Sequence, residues 1–192
     1  MDTAVRELAS GYVIGIPTDT AYGLVADVSY TGSADRLFSL KKRSRDHELP
    51  VIVSDVEQAM GLAIGVPAAA ERLMEKFWPG ALTLVLPRHP DFVADLGGDE
   101  DTIGVRCPNH IVPRLLCEEV GPLAITTANT EGAQPAMSAQ EVVERFGDAV
   151  SLVLDAGRCD RDLATVVDVT GFEPKLLREG QVAWSDIQGV LA

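Results

Sequence analysis

Gly15-Ile16-Pro17-Thr18-Asp19-Thr20-Ala21-Tyr22-Gly23-Leu24 is the most telling run of this chain, and Lys41-Lys42-Arg43 follows it at some distance. An apolar segment, Val13 to Ile16, stops abruptly at Pro17. Three small polar residues come next, then an aromatic residue and a glycine. Loops that end an apolar strand in this way face a ligand, because they present hydroxyls and backbone donors at the strand's carboxyl end. The basic cluster supplies the charge that a phosphate-bearing ligand needs.

Outward from that stretch, the chain of 192 residues is long enough to bury a sizeable core and short enough to form one domain. Hydrophobic residues at 46% and charged residues at 23% fit a folded protein rather than a disordered one. No apolar run approaches the roughly 20 residues of a membrane span, so no membrane partner is expected. The first residues, Met1 to Glu7, carry no basic region followed by an apolar one, so no secretory signal is read there. Cys107, Cys117 and Cys159 form no C-x-x-C pair, and His47, His89 and His110 show no ligand spacing. Neither a disulfide framework nor a zinc knuckle is implied, and a cytoplasmic location is expected.

The net charge is -13, from 16 basic and 29 acidic residues. That balance argues against broad nonspecific binding to nucleic acid, which needs many phosphate neutralisations. Arg36, Lys41, Lys42, Arg43 and Arg45 nevertheless concentrate positive charge in one segment. An acidic surround would focus an anionic ligand there.

Periodicity predicts helices over Thr3–Ser10, Ser33–Lys42 with Ser33 as N-cap, Asp55–Ala63, Pro67–Phe77, Ile111–Val120, Ala139–Phe146 and, weakly, Trp184–Leu191. Strands are predicted over Tyr12–Ile16, Pro50–Val53, Ala81–Leu86, Ile103–Arg106, Leu123–Thr126 and Leu152–Leu154. Thr165–Val169 and Lys175–Leu177 form a final antiparallel section. Helices and strands alternate first and strands cluster later, which points to an α/β fold on a twisted, mixed parallel/antiparallel sheet flanked by helices. The Gly- and Asp-rich loop from Arg88 to Asp101 is the segment expected to move most.

No G-x-x-x-x-G-K-[ST], G-x-G-x-x-G or G-x-S-x-G run occurs, so a nucleotide would have to be held by another scheme. Lys41, Arg43 and Arg45 could converge on a polyphosphate from a helix end; the plain alternative is a solvated basic terminus favoured by the helix dipole. Thr126-Thr127-Ala128-Asn129 offers hydroxyls and an amide to phosphate or sugar oxygens, or else caps a turn. Arg106, at the end of a β run, suits a carboxylate held bidentately, or else a surface ion pair. Phe77-Trp78-Pro79-Gly80 reads as a packed aromatic anchor. Thr165 and Arg178 could reach a site, although each alone reads as structural.

Together and in order, Pro17 to Leu24, Lys41-x-Arg43, Phe77-Trp78-Pro79-Gly80, Val105-Arg106-Cys107-Pro108, Thr127-Ala128-Asn129, Thr165-Val166-Val167-Asp168 and Leu177-Arg178-Glu179-Gly180 resemble the YrdC-like family of threonylcarbamoyl-AMP synthases. The resemblance runs from about residue 12 to 180. It implies a single YrdC-like domain over residues 1–192, with a concave ligand-binding surface. It also implies a reaction in which L-threonine, bicarbonate (or CO2) and ATP give threonylcarbamoyl-adenylate and pyrophosphate. A tRNA threonylcarbamoyl-transferase machinery is the implied downstream partner. Carried onto this chain, Lys41 and Arg43 would be catalytic and would hold ATP, with Mg²⁺ accompanying it. Thr127, Asn129 and Arg178 would complete the nucleotide site, and Thr20, Arg106 and Thr165 would hold threonine. Such chemistry needs positioning and charge neutralisation more than a protein nucleophile.

Two positions depart from the family pattern. Thr127-Ala128-Asn129 stands where Ser-x-Asn is usual, which keeps the hydroxyl. Ala164-Thr165 stands where Ser-Thr usually precedes Val-Val-Asp, and there a hydroxyl that lies close to threonine in the family is lost. A missing donor weakens binding by about 1–3 kcal/mol where its partner stays buried. A noncatalytic RNA-binding module and a degenerate nucleotide-binding paralogue are the alternatives of other classes.

Overall fold

The computed structural model describes residues 1–42, 44–130, 132–159 and 162–192. Apolar residues of alternating direction build its sheet, which helices cover on both faces. The strands are β1 (Ile14–Ile16), β2 (Gly23–Asp27), β3 (Val51–Ile52), β4 (Leu82–Pro87), β5 (Thr102–Arg106), β6 (Leu123–Thr127), β7 (Leu152–Val153), β8 (Thr165–Asp168) and β9 (Lys175–Arg178). They form one mixed sheet in the order β7-β1-β2-β6-β3-β5-β4-β8-β9. Parallel pairs (β1 with β7, β3 with β5, β4 with β8) interleave with antiparallel ones.

The helices are α1 (Asp2–Ala9), α2 (Ser33–Lys41), α3 (Val56–Met60), α4 (Ala68–Phe77), α5 (Ile111–Val120), α6 (Ala139–Phe146) and α7 (Trp184–Leu191). Ile14, Ile16, Val25, Ile52 and Leu123 pack with Ala4 and Leu8 of α1 and Leu116 and Cys117 of α5. The residues between them, Val13, Leu24, Ala26, Val51 and Ala124, belong to the larger core with Leu37 and Phe38 of α2 and Val142 and Phe146 of α6. This period-two division across β1, β2, β3 and β6 is what a sheet buried on both faces requires. Every residue of β1 and β2 is accordingly buried.

The helix ends follow local chemistry. Asp55 caps α3, its Oδ1 accepting from Gln58 N at 2.8 Å. Ser138 caps α6, its Oγ accepting from Glu141 N at 3.2 Å, while Glu141 Oε2 reaches back past the cap and accepts from Met137 N at 3.0 Å. Ser33 does not cap α2 as expected. Gly32 holds that place with φ at 79°, and the Ser33 hydroxyl instead donates to the Asp27 carbonyl.

Most predicted elements appear within a residue or two of their limits, and two expectations change. Gly23–Asp27 is a strand, not the tail of a loop, so Pro17 to Tyr22 is the connection of an antiparallel hairpin closed by the pair Ile16–Gly23. The final section is mixed: β8 runs antiparallel to β9 but parallel to β4. The Arg88–Asp101 segment is tied at several points. His89 N donates to Leu62 O at 2.9 Å, Leu49 N to Leu96 O at 2.9 Å and Gly98 N to Arg45 O at 2.7 Å.

Candidate active site

The hairpin connection is shaped by Thr18. Its Oγ accepts from Thr20 N at 3.1 Å and Ala21 N at 3.3 Å and donates to Ala21 O at 2.6 Å. A hydroxyl placed this way mimics a backbone turn. Thr20 Oγ lies 2.9 Å from Thr18 Oγ, so the two hydroxyls form one patch. Tyr22 fixes the far side of the hairpin: its hydroxyl donates to Gly157 O at 2.7 Å, and burial raises its pKa above the ordinary value.

Arg106 enters from the end of β5. Its Nη2 is 2.6 Å from Asp19 Oδ1, its Nη1 donates to Thr20 Oγ at 3.2 Å and its Nε to Gly80 O at 2.9 Å. The paired side chains are only 10% and 8% exposed. Burial pulls the guanidinium pKa down and Asp19 pulls it back up. Arg106 therefore makes a buried ion pair with the hairpin loop, not the surface bridge that an acidic chain suggests. Its planar fork has five N–H groups. The three bonds to Asp19, Thr20 and Gly80 leave part of the fork for a further acceptor.

Lys41 behaves differently from its expectation as a helix-end charge in solvent. It is 8% exposed, and its Nζ donates to Thr127 O at 2.8 Å, to Thr127 Oγ at 2.8 Å and to Asn129 Oδ1. Two separately predicted motifs are thus one cluster. Asn129 is held from its other end by Nδ2 donating to Ala133 O at 2.7 Å. The left-handed Lys42, φ at 53°, turns the chain at the end of α2 and leaves Lys41 pointing inward.

Around these groups lies a cavity of about 480 Å³, within the range of small-molecule sites. Thr18, Thr20, Arg106, Thr127, Ala164 and Arg178 line it, as do His47 and Glu48. Arg178 is aimed by the Ala164 carbonyl, which accepts from its Nε at 3.1 Å and its Nη2 at 2.9 Å. The family departure at Ala164 therefore lies on the cavity wall. Thr165 does not line the cavity. It is fully buried, and its hydroxyl donates to Val182 O at 2.6 Å while accepting from Gly180 N at 2.9 Å and Val182 N at 3.2 Å. These bonds go to the turn after β9, so its hydroxyl braces that turn.

The structure thus brings Thr20, Arg106, Thr127 and Arg178 to one cavity, sets Lys41 and Asn129 against Thr127, and leaves Thr165 behind the wall. Arg43 lies outside the described residues. The basic segment also disperses. Arg36 lies over the Tyr12 ring at 5.2 Å, while Arg45 lies over Phe38 at 4.8 Å and pairs with Asp35 and Asp95. The Trp78 indole donates to Leu82 O at 2.7 Å, as an anchor would, and the Trp78–Pro79 peptide is cis.

Two residues escaped the sequence reading. Asp19 sat inside the quoted run, and the need of a buried arginine for a counter-charge could have singled it out. Glu48 gave no spacing signal. Burial pushes its carboxyl up to about 7, although the Gly104 N–H and the Arg88 charge both oppose that shift. Among the described residues, no group of three or more His, Cys, Asp or Glu side chains could hold a metal.

Comparison with known proteins follows the same pattern. The Sua5/YciO/YrdC family model, described as "Telomere recombination", matches residues 6–180. A protein of Mycobacterium tuberculosis (strain ATCC 25618 / H37Rv) named "Putative threonylcarbamoyl-AMP synthase" is 38% identical over 190 residues, 98% of this chain and 88% of that protein. The solved Pyrococcus abyssi Sua5 complexed with L-threonine superposes with a TM-score of 0.93 at 34% identity. The match covers 98% of this chain but 56% of that one. Escherichia coli YciO superposes at a TM-score of 0.87 and 25% identity, covering 95% and 89% of the two chains. The chain belongs to the Sua5/YciO/YrdC family.

Proposed function

We propose that this member of the Sua5/YciO/YrdC family is a threonylcarbamoyl-AMP synthase, acting as a single domain over residues 1–192. The observation that carries the reading is one cavity lined by Thr20, Arg106, Thr127 and Arg178, with Lys41 buried against Thr127 and Asn129 at its edge. The relatives' names support it, as does the complex of Pyrococcus abyssi Sua5 with L-threonine.

In this reading Arg106, already oriented by Asp19 and Gly80, takes the carboxylate of L-threonine, and the Thr20 hydroxyl lies beside it. The threonine amine adds to CO2 drawn from bicarbonate and becomes a carbamate. A carbamate oxygen then forms a bond to the α-phosphorus of ATP as the bond to the β-phosphate breaks. Threonylcarbamoyl-adenylate and pyrophosphate are the products. Lys41 and Arg43 neutralise the charge that builds on the triphosphate and the departing pyrophosphate. Mg²⁺, carried on the phosphates, adds further neutralisation when bound. Thr127, Asn129 and Arg178 seat the nucleotide. The Lys41 ammonium has acceptors on Thr127 and Asn129, which orient it for a phosphate oxygen.

The adenylate then passes to the tRNA threonylcarbamoyl-transferase machinery. A cytoplasmic site of action is part of this reading; no helix among the described residues is long and apolar enough to cross a membrane. The dispersal of Arg36 and Arg45 onto other partners weighs against a general RNA-binding surface.

The test is pyrophosphate release from purified protein with ATP, Mg²⁺, bicarbonate and each amino acid in turn. Release that requires both L-threonine and bicarbonate is the expected result. Release independent of either one, or none with any amino acid from protein that still binds ATP, overturns the proposal.

A further inference from the structure

Glu48 lines the same cavity as Arg106, yet neither the threonine contacts nor the nucleotide contacts above make use of it. Its backbone is clamped in place. Gly98, with φ at +66°, packs so closely that a Cβ there would lie 2.7 Å from the Glu48 Cβ and 2.9 Å from its backbone nitrogen. Gly98 N donates to Arg45 O at 2.7 Å and Leu49 N donates to Leu96 O at 2.9 Å, closing the turn on both sides of Glu48. The side chain is fixed as well. Pairing between β3 and β5 begins at Val51 and Val105, and Glu48 Oε1 accepts from the preceding donor on β5, Gly104 N, at 3.3 Å.

Gly104, which holds the Glu48 carboxylate, and Arg106 are two residues apart on β5, and Glu48 and Arg106 line the same cavity. An amino acid has its nitrogen about 2.5 Å from its carboxyl carbon, by the lengths of the N–Cα and Cα–C bonds. A substrate held by its carboxylate on Arg106 therefore carries its ammonium group within the cavity that the Glu48 carboxylate also lines.

We propose that Glu48 receives the ammonium group of the amino-acid substrate and accepts one of its protons, freeing the amine to add to CO2. This rests on the synthase reading above. One N–H bond of the ammonium breaks, its electron pair stays on nitrogen, and the proton passes to a Glu48 carboxylate oxygen. The freed pair forms the N–C bond to CO2 while a C–O π pair moves onto oxygen. The remaining excess proton on nitrogen leaves to water, giving the carbamate. The charged groups around Glu48 are Arg88 at the end of β4 and Asp99 in the following loop, with Arg106 and Arg178 on the cavity wall and Asp19 behind Arg106; the His47 imidazole lines the same wall. Burial among them brings the carboxyl to about 7, close to the operating range of a general base.

Glu48→Gln is the test, because the amide oxygen still accepts from Gly104 N and the fold is kept, as an unchanged melting temperature or better will show. Pyrophosphate release is followed from pH 5.5 to 9, and L-threonine binding is compared with that of the analogue bearing hydroxyl in place of the amine. In the wild type, kcat/KM for threonine rises through neutral pH. In Glu48→Gln, kcat falls by about 10²-fold or more and that rise disappears. Binding of L-threonine weakens in the variant while binding of the hydroxyl analogue does not. Glu48→Asp keeps the pH-dependent rise at an intermediate rate. A Glu48→Gln enzyme with wild-type turnover, or one that is slower yet keeps the same pH profile, overturns the proposal. A wild-type protein that releases no pyrophosphate with threonine and bicarbonate instead overturns the synthase reading itself.

Discussion

Removing Asp19 isolates the electrostatics on which the cavity is built. In Asp19→Ala the Arg106 guanidinium keeps its bonds to Gly80 O and Thr20 Oγ but loses its counter-charge at a side-chain exposure of 10%. Burial already pulls its pKa down, and the Asp19 carboxylate opposes that pull. Breaking a buried pair by deleting one partner costs about 3–5 kcal/mol, whereas an exposed pair is worth about 1 kcal/mol at most. For a protein of this size each kcal/mol shifts the melting temperature by about 2–4 °C, so a fall of about 6–20 °C is expected. Urea and thermal unfolding of Asp19→Ala, Asp19→Asn, Arg106→Met and the double variant measure it. The double variant should be more stable than Asp19→Ala, because no charge is stranded. L-Threonine, whose carboxylate replaces the missing charge, should raise the melting temperature of Asp19→Ala more than that of the wild type. A loss of no more than about 1 kcal/mol in Asp19→Ala, or a double variant equal to the sum of the singles, would refute the buried-pair reasoning.

Three further outcomes are expected. Lys41→Ala should lower pyrophosphate release at least about tenfold. It should also cost about 1–3 kcal/mol in urea unfolding, since the carbonyl of Thr127 and Oδ1 of Asn129 lose a buried donor; an equally stable variant would mean that Lys41 is solvated after all. Gly180→Ala should destabilise by about 1–3 kcal/mol and loosen Arg178, because the added Cβ would lie 2.0 Å from Leu163 O and 2.8 Å from the Ala164 carbonyl carbon, both backbone atoms; a thermal melt with ATP titration reads both effects. Folded Glu48 binds its proton up to about pH 7, against an ordinary value of 4.5, so the folded state holds the extra proton between these values. Stability should therefore fall as pH rises from about 5 through about 7, and Glu48→Gln should flatten that slope; parallel curves for the two proteins would remove Glu48 as its source.

The helices Ile111–Val120, Ala139–Phe146 and Trp184–Leu191 were legible to the residue, because periodic apolar positions sit between clear stops such as Gly121 and Gly147. β2 was not legible. Its residues, Gly23 to Asp27, are a short run that opens on glycine directly after a turn-rich segment, and only the pairing with β1 and β6 makes them a strand. The burial of Lys41 was hidden for a similar reason. Local sequence favours a solvated cation at a helix end, and the acceptors that draw it inward lie more than 80 residues away, in a bond of separation 86 to Thr127. Thr165 shows the converse: a motif position can be read correctly as special while its hydroxyl serves the turn at Gly180 to Val182.

What gathers the distant motifs is the narrowness of β3. One side of the sheet runs β7-β1-β2-β6 and the other β5-β4-β8-β9, and β3 alone joins them, with Val51 and Ile52 pairing to β6 on one side and β5 on the other. β3 is parallel to β5 and antiparallel to β6, so the strand sense changes where the bridge is two residues long. One backbone bond continues past each end, Ile125 N to Pro50 O at 2.9 Å and Val53 N to Arg106 O at 3.0 Å, and side chains from both halves line the cavity beside the bridge. From the first side come Thr18 and Thr20 of the hairpin loop and Thr127, which pairs with Gly23 and so lies beside that loop. From the second come Gly104, Arg106, Ala164 and Arg178. Glu48 and Pro50 enter from the segment that leads into β3. Pro50 O already accepts from Ile125 N at 2.9 Å, so replacing Pro50 with a residue bearing an N–H would complete that pair with β6, lengthen the bridge by a residue and narrow the space that Pro50 and Ile125 line. Pro50→Val should therefore be at least as stable as the wild type yet poorer in pyrophosphate release, and a variant with undiminished turnover would show that the short bridge is not what keeps the cavity open.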